Sequence, residues 1–285
     1  MKGVILAGGR GERLKPLTDW LPKPMVPLLN KPLLEYNLEL FKKQGITDVT
    51  LTVCYKKESI KQHIGDGSRF GVNVTYIEEK APLGTAGSLF RHADRFQETF
   101  VVLSGDALTN ISLEAAIQFH HSKQALLTLV AVEVERPEDF GICLINEEGR
   151  LVSFLEKPEK EQIFSSIVNT GIYIIEPEIF ERYHFNGEVD FAKDLFPVIL
   201  KDCERIFVYR SEAYWQDIGN PYQHWLAEKR LKHGISGIAS ARKPPIAQIS
   251  NYSTQFLKRF HLHDALSTSW TERNNRQWTI KTTEQ

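Results

Sequence analysis

The first part of the chain alternates between apolar runs typical of buried strands and amphipathic stretches typical of helices. Residues 3–6 form an unbroken apolar run after Lys2, and the residues at 49–53 alternate between apolar side chains and threonine as strands do. Between them, 32–45 has a helical pattern that begins at a proline and ends at a glycine. A second helical pattern and a strand at 72–77 follow. This order of elements predicts a parallel sheet covered on both faces by helices.

The second part of the chain begins with one more buried strand and then changes character after Pro137. We predict, in order, a strand at 100–103 that ends in Ser104-Gly105-Asp106, a helix at 112–121, a strand at 126–134, a hairpin over 140–155, a strand that begins at Asn169 and a helix after Pro221. The whole pattern favours an α/β fold with a Rossmann-like, three-layer α/β/α, mostly parallel sheet and a smaller β region in its second part.

Composition sets loose limits on function. The chain has 285 residues, of which 42% are hydrophobic and 25% charged, and its formal net charge is -1. Near-neutrality gives no general attraction to nucleic acid or to an anionic membrane, so we expect neither as a partner. Cys54, Cys143 and Cys203 lack metal-site spacing and are expected to be reduced core residues of a cytoplasmic protein without a signal peptide or a membrane span.

The first strand leads into Ala7 and then into the string GGRGERLKPLT at 8–18, which is followed by Pro22-Lys23-Pro24. Glycines let backbone N–H groups converge on an anion, and Arg13 and Lys23 add positive charge. The string is not a Walker loop, because Gly11 is followed by Glu12 and Arg13 instead of Lys and Ser or Thr. It is not a dinucleotide fingerprint either, because Leu14 stands where the third glycine of that fingerprint is needed. A glycine-rich turn with solvated basic residues is the alternative, but the combined string favours a phosphate-binding loop.

GGRGERLKPLT followed by Pro-Lys-Pro resembles the signature of the sugar-1-phosphate nucleotidyltransferases. Members of that family join a nucleoside triphosphate to a sugar-1-phosphate and release pyrophosphate. One departure is Glu12, which stands where the family usually has threonine or serine. Because a carboxylate repels a triphosphate, we expect Glu12 to point away from the phosphates or to pair with a basic neighbour.

Further segments extend the resemblance on the nucleotide side. The string PLGTAGSL at 82–89 resembles the loop of the family that approaches the nucleotide base, where glycines leave room for backbone groups to reach the edge of the base. Alternatively, the small residues allow a helix to pack closely on the sheet. The two roles are compatible. Asp106, and Asp217 in Trp-Gln-Asp-Ile-Gly, match the metal ligands of the family, which implies Mg²⁺ as the cofactor. The nucleotide-binding residues implied in this way are Leu6, Ala7, Gly8, Gly9, Gly11, Arg13, Lys23, Gly84 and Thr85.

The sugar-phosphate side of the resemblance consists of a glycine, Glu-Lys-Pro at 156–158 and Asn-Thr-Gly at 169–171, in the order that the family has them. The resemblance implies that Gly141 leaves room for the hexose, that Glu156 and Asn169 hydrogen-bond its hydroxyls, that Thr170 lines it and that Lys157 binds the phosphate. The catalytic residues that it implies are Arg13, Lys23, Asp106, Lys157 and Asp217.

The loop variant PLGTAG looks most like that of guanylyltransferases acting on mannose- or heptose-1-phosphate, so the expected reaction is that of GTP with mannose-1-phosphate to GDP-mannose. A thymidylyl- or uridylyltransferase acting on glucose-1-phosphate is the first alternative. The second is a non-catalytic regulatory subunit that binds nucleotide sugars. The presence of both aspartates and three basic residues argues against the second alternative, because a binder need not keep two metal carboxylates.

The resemblance covers residues 1–235, which we predict to be a nucleotidyltransferase domain with a nucleotide half at 1–135 and a sugar-phosphate half at 136–235. Residues 236–285 are then a C-terminal extension of unknown role, for which an extended tail, a helix around 253–263 and partial disorder are open alternatives. Relatives often assemble through the sugar-side region or a C-terminal segment, so the resemblance allows a homo-oligomer, while the residues leave the oligomeric state undecided.

Overall fold

The computed structural model describes residues 1–202 and 205–238. The chain divides into two compact units, Met1–Ser240 and Ala241–Gln285, and the second lies outside the described residues. Cys203 and the part of the predicted extension beyond residue 238 lie outside them too. Among the described cysteines, Cys54 is half-buried and Cys143 is buried, and both are free thiols.

Strands and helices follow one another largely as the sequence predicts. The strands are β1 (Lys2–Leu6), β2 (Pro27–Leu28), β3 (Lys31–Pro32), β4 (Asp48–Val53), β5 (Asn73–Glu78), β6 (Phe100–Ser104), β7 (Ala107–Thr109), β8 (Leu127–Glu133), β9 (Gly141–Ile145), β10 (Leu151–Glu156), β11 (Ile167–Ile175), β12 (Ile206–Arg210) and β13 (Trp215–Asp217). The α-helices are α1 (Leu33–Lys43), α2 (Lys57–Ile64), α3 (Gly87–Arg91), α4 (Leu113–Ser122), α5 (Glu178–Arg182), α6 (Phe196–Lys201) and α7 (Pro221–His233). Single turns of 3-10 helix and one π-helical turn, Phe191–Leu195, complete the set in the part of the chain that the structure describes.

Strand β1 lies at the centre of the parallel half of the main sheet, between β4 and β6. Strand β4 also pairs in parallel with β5, which gives the order β5-β4-β1-β6. The chain therefore moves from β1 to one side and returns to the other side at β6. Such a reversal opens a crevice at the carboxyl ends of the two central strands, where α/β sheets bind ligands. The glycine-rich loop follows β1 and Asp106 follows β6, so both lie at this crevice.

The other half of the sheet is mainly antiparallel. Strand β11 pairs with β6, β8 and β9 in this sense, and β9 pairs with the edge strand β10. Strand β12 is parallel to β8. The predicted α/β architecture is thus confirmed, with the parallel strands in the first part of the chain and the smaller β region in the second.

The prediction that a strand begins at Asn169 is wrong, because β11 begins at Ile167 and continues through this position. The pairing of β11 with β8 shifts between Asn169 and Ile172, which leaves Thr170 and Gly171 as a β-bulge. A bulge re-aims side chains and is frequent next to binding sites. The Asn-Thr-Gly string is therefore a kink inside a strand, and the kink lies beside the end of β6.

Two apolar cores lie on opposite faces of the main sheet. Helices α1, α2 and α4 cover the first face, where Leu34, Leu38 and Phe41 of α1 are fully buried. Aromatic side chains from α5, α6 and the π-helical turn fill the second face. Of the helices that the structure describes, none combines the length and the apolar character that crossing a bilayer requires.

Candidate active site

The carboxyl ends of β1 and β6 hold a lysine between two aspartates. Lys23 Nζ lies 2.6 Å from Asp106 Oδ2 and 3.5 Å from Asp217 Oδ1. Asp106 follows β6, and Asp217 is the last residue of β13, whose antiparallel pairing with β7 sets Asp217 opposite Ala107. Lys23 begins a single 3-10 turn, Lys23–Met25. Three segments that are far apart in the sequence therefore meet in one ion-pair cluster.

The charges of this cluster influence one another strongly because the side chains are largely removed from solvent. Burial alone disfavours the ammonium of Lys23, but attraction to Asp106 and Asp217 outweighs it and raises the lysine pKa. Burial likewise opposes ionisation of Asp106, yet Lys23 and the Ser104 hydroxyl, which donates to Asp106 Oδ1 at 2.5 Å, keep its pKa below the usual value. Burial and the Asp106 charge raise the pKa of Asp217 to about 6. One ammonium thus serves two carboxylates, which leaves negative charge for a further cation.

The donor set of the cluster suits Mg²⁺. Magnesium prefers carboxylate, phosphate and water oxygens and usually takes only one or two carboxylates from a protein. Asp106 and Asp217 supply two, and the position of the Lys23 ammonium demonstrates that their oxygens converge on a cation. Among residues 1–202 and 205–238, no group of three or more His, Cys, Asp or Glu side chains is placed to hold a metal ion. The two aspartates therefore fit the predicted ion.

The glycine-rich loop packs against the lysine turn at Gly11. Gly11 has a φ of 69°, which side chains rarely adopt, and a Cβ on it would lie 2.9 Å from Lys23 Cβ. The Thr18 hydroxyl donates to Gly11 O at 2.8 Å and holds the loop closed. Arg13 is exposed, and its Nη2 lies 3.2 Å from the position that a Cβ would take on Gly219. The loop thus brings Arg13 to the same edge of the sheet as Lys23.

Glu12 turns back onto the loop that carries it. Its Oε2 lies 2.7 Å from Lys15 Nζ. The hydrogen bond and charge of Lys15 hold the pKa of the Glu12 carboxyl below its usual value. One of the two predicted arrangements, pairing with a basic neighbour, is therefore confirmed, and the charge of Glu12 is offset locally.

Residues 6–9 cross the carboxyl ends of β4 and β5. Ala7 is buried and its N–H donates to Thr52 O at 2.9 Å. A Cβ on Gly8 would lie 3.4 Å from Cys54 Cβ and 3.7 Å from Glu79 Oε2. Gly9 faces open space, since no described atom lies within 4 Å of its Cβ position. A niche bounded by Gly8, Cys54 and Glu79 therefore lies beside the open part of the loop.

Glu79 is a buried acidic residue beside the glycine-rich loop that the sequence analysis did not single out. It follows β5 directly and is 7% exposed, whereas the preceding Glu78 is exposed and pairs with lysines. Its Oε1 accepts from the Ser88 hydroxyl at 2.5 Å, and its Oε2 accepts from Leu83 N at 3.1 Å. The sequence signal for its burial was the alternation of side chains along β5, which sets residue 79 on the same face of the sheet as the buried Ile77.

The loop at 82–89 contacts a segment that the sequence analysis did not connect with it. Gly84 has a φ of 73°, and a Cβ on it would collide with the carbonyl oxygen of Val189. The Thr85 hydroxyl donates to Asp190 Oδ2 at 2.9 Å. Glycine at position 84 is thus required by the close approach of a protein backbone, and the predicted approach to a nucleotide base stays a prediction.

On the sugar-phosphate side, Gly141 begins β9 and pairs directly with Glu156 at the end of β10. A Cβ on Gly141 would collide with the Phe154 ring and lie 2.7 Å from Glu156 Oε2, so this glycine makes room for those two side chains, and its role toward a hexose stays a prediction. Burial raises the pKa of Glu156. The exposed Lys157 follows with a left-handed φ of 48°, and its Nζ lies 3.6 Å from Glu156 Oε1.

The bulge of β11 holds the remaining predicted sugar-side residues. Asn169 Nδ2 donates to Tyr173 Oη at 2.8 Å. Thr170 is 2% exposed and its hydroxyl donates to Val130 O at 2.7 Å. The hydroxyl proton is therefore already used within the protein and is not available to a ligand. Trp215 Nε1 donates to Thr170 O at 3.1 Å, which ties the bulge to the strand that carries Asp217.

The predicted catalytic residues do not all meet in one place. The structure brings Arg13, Lys23, Asp106 and Asp217 together, whereas Lys157 stands with Glu156 on the sugar-phosphate side. Ser104 links the ion-pair cluster to the bulge of β11, because it donates to Asp106 and a Cβ on Gly171 would be 2.8 Å from Ser104 Cβ. The arrangement can hold two anionic groups side by side across the crevice.

The sequence profile of the family described as nucleotidyl transferase matches residues 2–234, which is the part of the chain that forms this sheet and crevice. The chain belongs to the nucleotidyl transferase family. Two relatives illustrate its range: a UTP–glucose-1-phosphate uridylyltransferase of Synechocystis sp. is 36% identical over 80% of this chain, and a mannose-1-phosphate guanylyltransferase of Mycobacterium tuberculosis is 36% identical over 82%. The matches span 62% and 65% of the length of those two relatives.

Two solved structures illustrate that the fold is a known one. A putative glucose-1-phosphate thymidylyltransferase from Bacillus anthracis, in complex with a sucrose, superposes with a TM-score of 0.74 at 25% identity and covers 82% of this chain and 96% of its own. HddC from Yersinia pseudotuberculosis, complexed with GMP-PN, superposes with a TM-score of 0.70 at 28% identity and covers 81% and 99%. Relatives named for uridylyl and guanylyl transfer are thus equally identical to this chain, at 36%.

Proposed function

We propose that this protein transfers a nucleotidyl group from a nucleoside triphosphate to a sugar-1-phosphate and releases pyrophosphate. The observation that carries the proposal is the cluster of Lys23, Asp106 and Asp217 at the crevice beside the glycine-rich loop. Family membership of residues 2–234 supports the same reaction. The proposal includes the division of residues 1–235 into a nucleotide half and a sugar-phosphate half at about residue 135, where the β-rich second part begins.

In this reaction an oxygen of the sugar phosphate forms a bond with the α-phosphorus, and the bond between that phosphorus and the oxygen of the leaving pyrophosphate breaks. The attacking oxygen is already an anion, so no protein nucleophile or general base is required. The difficulty is the repulsion between two polyanions, and fixed positive charge reduces it most where water is excluded. Lys23 and Arg13 supply that charge on the nucleotide side and Lys157 on the sugar-phosphate side.

Asp106 and Asp217 would hold Mg²⁺, which supplies charge neutralisation at the phosphate oxygens when it is bound. Asp106 is kept ionised by Lys23 and by the Ser104 hydroxyl, so it is ready to accept a cation. Lys23 contacts both carboxylates and orients them toward the crevice. The proposal thus assigns the charge of the cluster to the nucleotide phosphates, in addition to the ion pairing that holds the three segments together.

For the base, we favour guanine because of Glu79. A carboxylate only accepts hydrogen bonds, and its two oxygens have about four acceptor positions, of which Leu83 N and the Ser88 hydroxyl use two. Guanine presents two adjacent N–H donors on its pairing edge, whereas uracil and thymine present one N–H between two carbonyl oxygens that would face the carboxylate. The niche of Gly8, Cys54 and Glu79 therefore matches GTP, and mannose-1-phosphate is the acceptor that the PLGTAG loop favours.

Glu79→Gln tests the choice of base. An amide replaces one acceptor by a donor, so we expect kcat/KM for GTP to fall about 10- to 100-fold, the effect of a lost charged hydrogen bond, while UTP and dTTP gain relative to GTP. Pyrophosphate release with each triphosphate measures the ratio. Glu78→Gln, which changes the exposed acid one position earlier, is the matched control and should leave the ratio unchanged. A uniform loss with every triphosphate would remove Glu79 from base selection.

Lys157→Ala tests the division of the site into two halves. The left-handed conformation of Lys157 is costly for a residue with a side chain, by about 1–3 kcal/mol, and such strain is typical of positions held for function. We expect the KM for the sugar-1-phosphate to rise about 10-fold, with the KM for the triphosphate unchanged. Steady-state kinetics with each substrate varied in turn provides the measurement, and Lys160→Ala, at a nearby exposed lysine, is the control. If the triphosphate KM moved instead, the assignment of the halves would be wrong.

The reaction itself is tested by pyrophosphate release from the full chain with Mg²⁺, for each nucleoside triphosphate against mannose-1-phosphate, glucose-1-phosphate and a heptose-1-phosphate. Release with GTP and mannose-1-phosphate alone is the expected result. Release with dTTP or UTP and glucose-1-phosphate would keep the reaction and replace the substrates. Nucleotide-sugar binding without release from any pair would favour the non-catalytic alternative.

A further inference from the structure

The loop that carries PLGTAG is joined through its backbone to a distant segment that precedes the π-helical turn. Val189 N donates to Leu83 O at 2.9 Å, and Val189 O accepts from Ala86 N at 2.8 Å and from Gly87 N at 3.2 Å. Gly84 leaves no space between the two backbones, as described above. We call residues 83–87 the base loop and residues 187–193 the connector. The two move as one piece unless these hydrogen bonds break.

One side-chain pair completes the junction. The Thr85 hydroxyl donates to Asp190 Oδ2 at 2.9 Å and accepts from Phe191 N at 2.9 Å. Asp190 Oδ1 accepts from Ala192 N at 2.9 Å and from Lys193 N at 3.3 Å, so this carboxylate also caps the π-helical turn. Thr85 is exposed, and its hydroxyl contributes only about 1 kcal/mol to folding on average. The contact is therefore better explained by the position it gives the base loop than by stability.

The connector also reaches the sugar-phosphate side. The Phe191 ring packs on the buried Tyr173 ring, with the two centroids 4.4 Å apart, and Tyr173 Oη accepts from Asn169 Nδ2 at 2.8 Å. Burial raises the pKa of Glu156, and the charge of Asp190 acts in the same direction. A continuous set of contacts thus runs from Thr85 through Phe191 and Tyr173 to Asn169, one of the two residues predicted to hold the sugar hydroxyls.

The form of the connector suits a joint between two binding sites. π-Helical turns are rare in proteins, and those that do occur are often found at functional sites. Closely packed rings such as Phe191 and Tyr173 favour discrete arrangements over gradual deformation. A shift of the base loop on a nucleotide would therefore be passed to Asn169 as a change of position rather than absorbed.

We propose that Thr85 and Asp190 are positioning residues that couple the binding of the nucleotide to the binding of the sugar phosphate. The inference rests on the proposed function, because it assigns a base to one end of the connector and a sugar phosphate to the other. Closing the base loop on a nucleotide fixes Asp190 and Phe191, and these in turn fix Tyr173 and Asn169 in the geometry that receives the sugar. Coupling is reciprocal, so a bound sugar phosphate strengthens nucleotide binding by the same factor.

The test measures binding without turnover. The full chain with Mg²⁺ is titrated by calorimetry with mannose-1-phosphate, in the absence and presence of saturating guanosine 5′-(α,β-methylene)triphosphate, which has no cleavable bond between the α- and β-phosphates. If the pyrophosphate assay selects another pair, the corresponding analogue and sugar replace these. We expect the analogue to lower the Kd of the wild-type protein for the sugar phosphate by about 5-fold or more.

Thr85→Val removes the hydroxyl but keeps the shape of the side chain, and Thr85→Ser keeps the hydroxyl. We expect the ratio of the two Kd values to fall to about 1 in Thr85→Val and to stay near the wild-type ratio in Thr85→Ser, whatever the change in the affinity for either ligand alone. Asp190→Asn should reduce the ratio as Thr85→Val does, since it weakens the same contact. Thermal melts establish that all variants are folded.

Three results would overturn the inference. The first is a wild-type ratio of 1 between the Kd values for the sugar phosphate without and with the analogue. The second is a Thr85→Val variant that keeps the wild-type ratio. The third is a Thr85→Val variant that binds the nucleotide more weakly but keeps the ratio, which would make Thr85 a residue that contacts the nucleotide without coupling the two sites. A wild-type protein that binds neither ligand would instead overturn the proposed function together with the inference.

Discussion

Asp106→Asn is expected to lower kcat for pyrophosphate release by about 10²–10³-fold while the fold stays intact, the cost of losing one preorganised charge contact. Asparagine has nearly the shape of aspartate, so packing at the end of β6 is preserved. What it removes is a charge that faces Lys23 at 2.6 Å and that accepts the Ser104 hydroxyl. The carboxylate is lost from the place where the phosphates of both substrates would meet.

The measurement is pyrophosphate release as a function of Mg²⁺ concentration. We expect the variant to need more Mg²⁺ for half-maximal rate, which a purely structural defect would not cause. Asp94→Asn, a change at an exposed aspartate outside the crevice, is the matched control and should behave as wild type. An unchanged rate and an unchanged Mg²⁺ dependence would remove Asp106 from the site.

Lys23→Met is expected to reduce kcat/KM by about 10²–10³-fold and also to lower the melting temperature. The side chain of Lys23 is 11% exposed, and Lys23→Met removes the cation that both Asp106 and Asp217 contact. Removing one partner of a buried ion pair costs about 3–5 kcal/mol, and for a chain of this size the lower figure corresponds to about 6–12 °C. Methionine fills the space, so the loss reports on charge.

The melting temperature should be recorded with and without Mg²⁺. A divalent cation replaces the missing charge, so we expect Mg²⁺ to raise the melting temperature of Lys23→Met more than that of wild type. Lys232→Met, at an exposed lysine near the end of α7, is the control and should respond as wild type does. If Mg²⁺ had no larger effect on Lys23→Met, the two carboxylates would not be a metal site. The two variants together separate the role of the carboxylates from that of the lysine.

Several elements were predictable because local pattern decides them. Strand β1 is a short apolar run of the kind found in buried strands, and apolar residues recur every three or four positions along α1. The pairing of Glu12 with Lys15 was one of two expected arrangements, since residues three apart meet on a helical turn. Such features depend on neighbours along the chain and therefore appear in the sequence.

Other elements have no local signal. Strands β7 and β13 contain three residues each, too few for a periodic pattern, and each is a strand only because the other pairs with it. The bulge in β11 exists because the strand must pair with β8 on both sides of Thr170 and Gly171. Glu79 and Asp190 became candidate site residues only in the folded structure, where the base loop hydrogen-bonds to them.

The sequence by itself predicted most of the longer strands and helices in their order, a phosphate-binding role for the glycine-rich loop, and the residues Arg13, Lys23, Asp106 and Asp217 as candidates for one site. Tertiary structure decided which of these meet, that Lys23 lies between the aspartates, and that the base loop is bonded to the connector. The physical reason is range. Periodicity and turn chemistry act over a few residues, whereas charge pairs and hydrogen bonds between residues 23 and 217 or 85 and 190 exist only after the sheet has brought distant segments together.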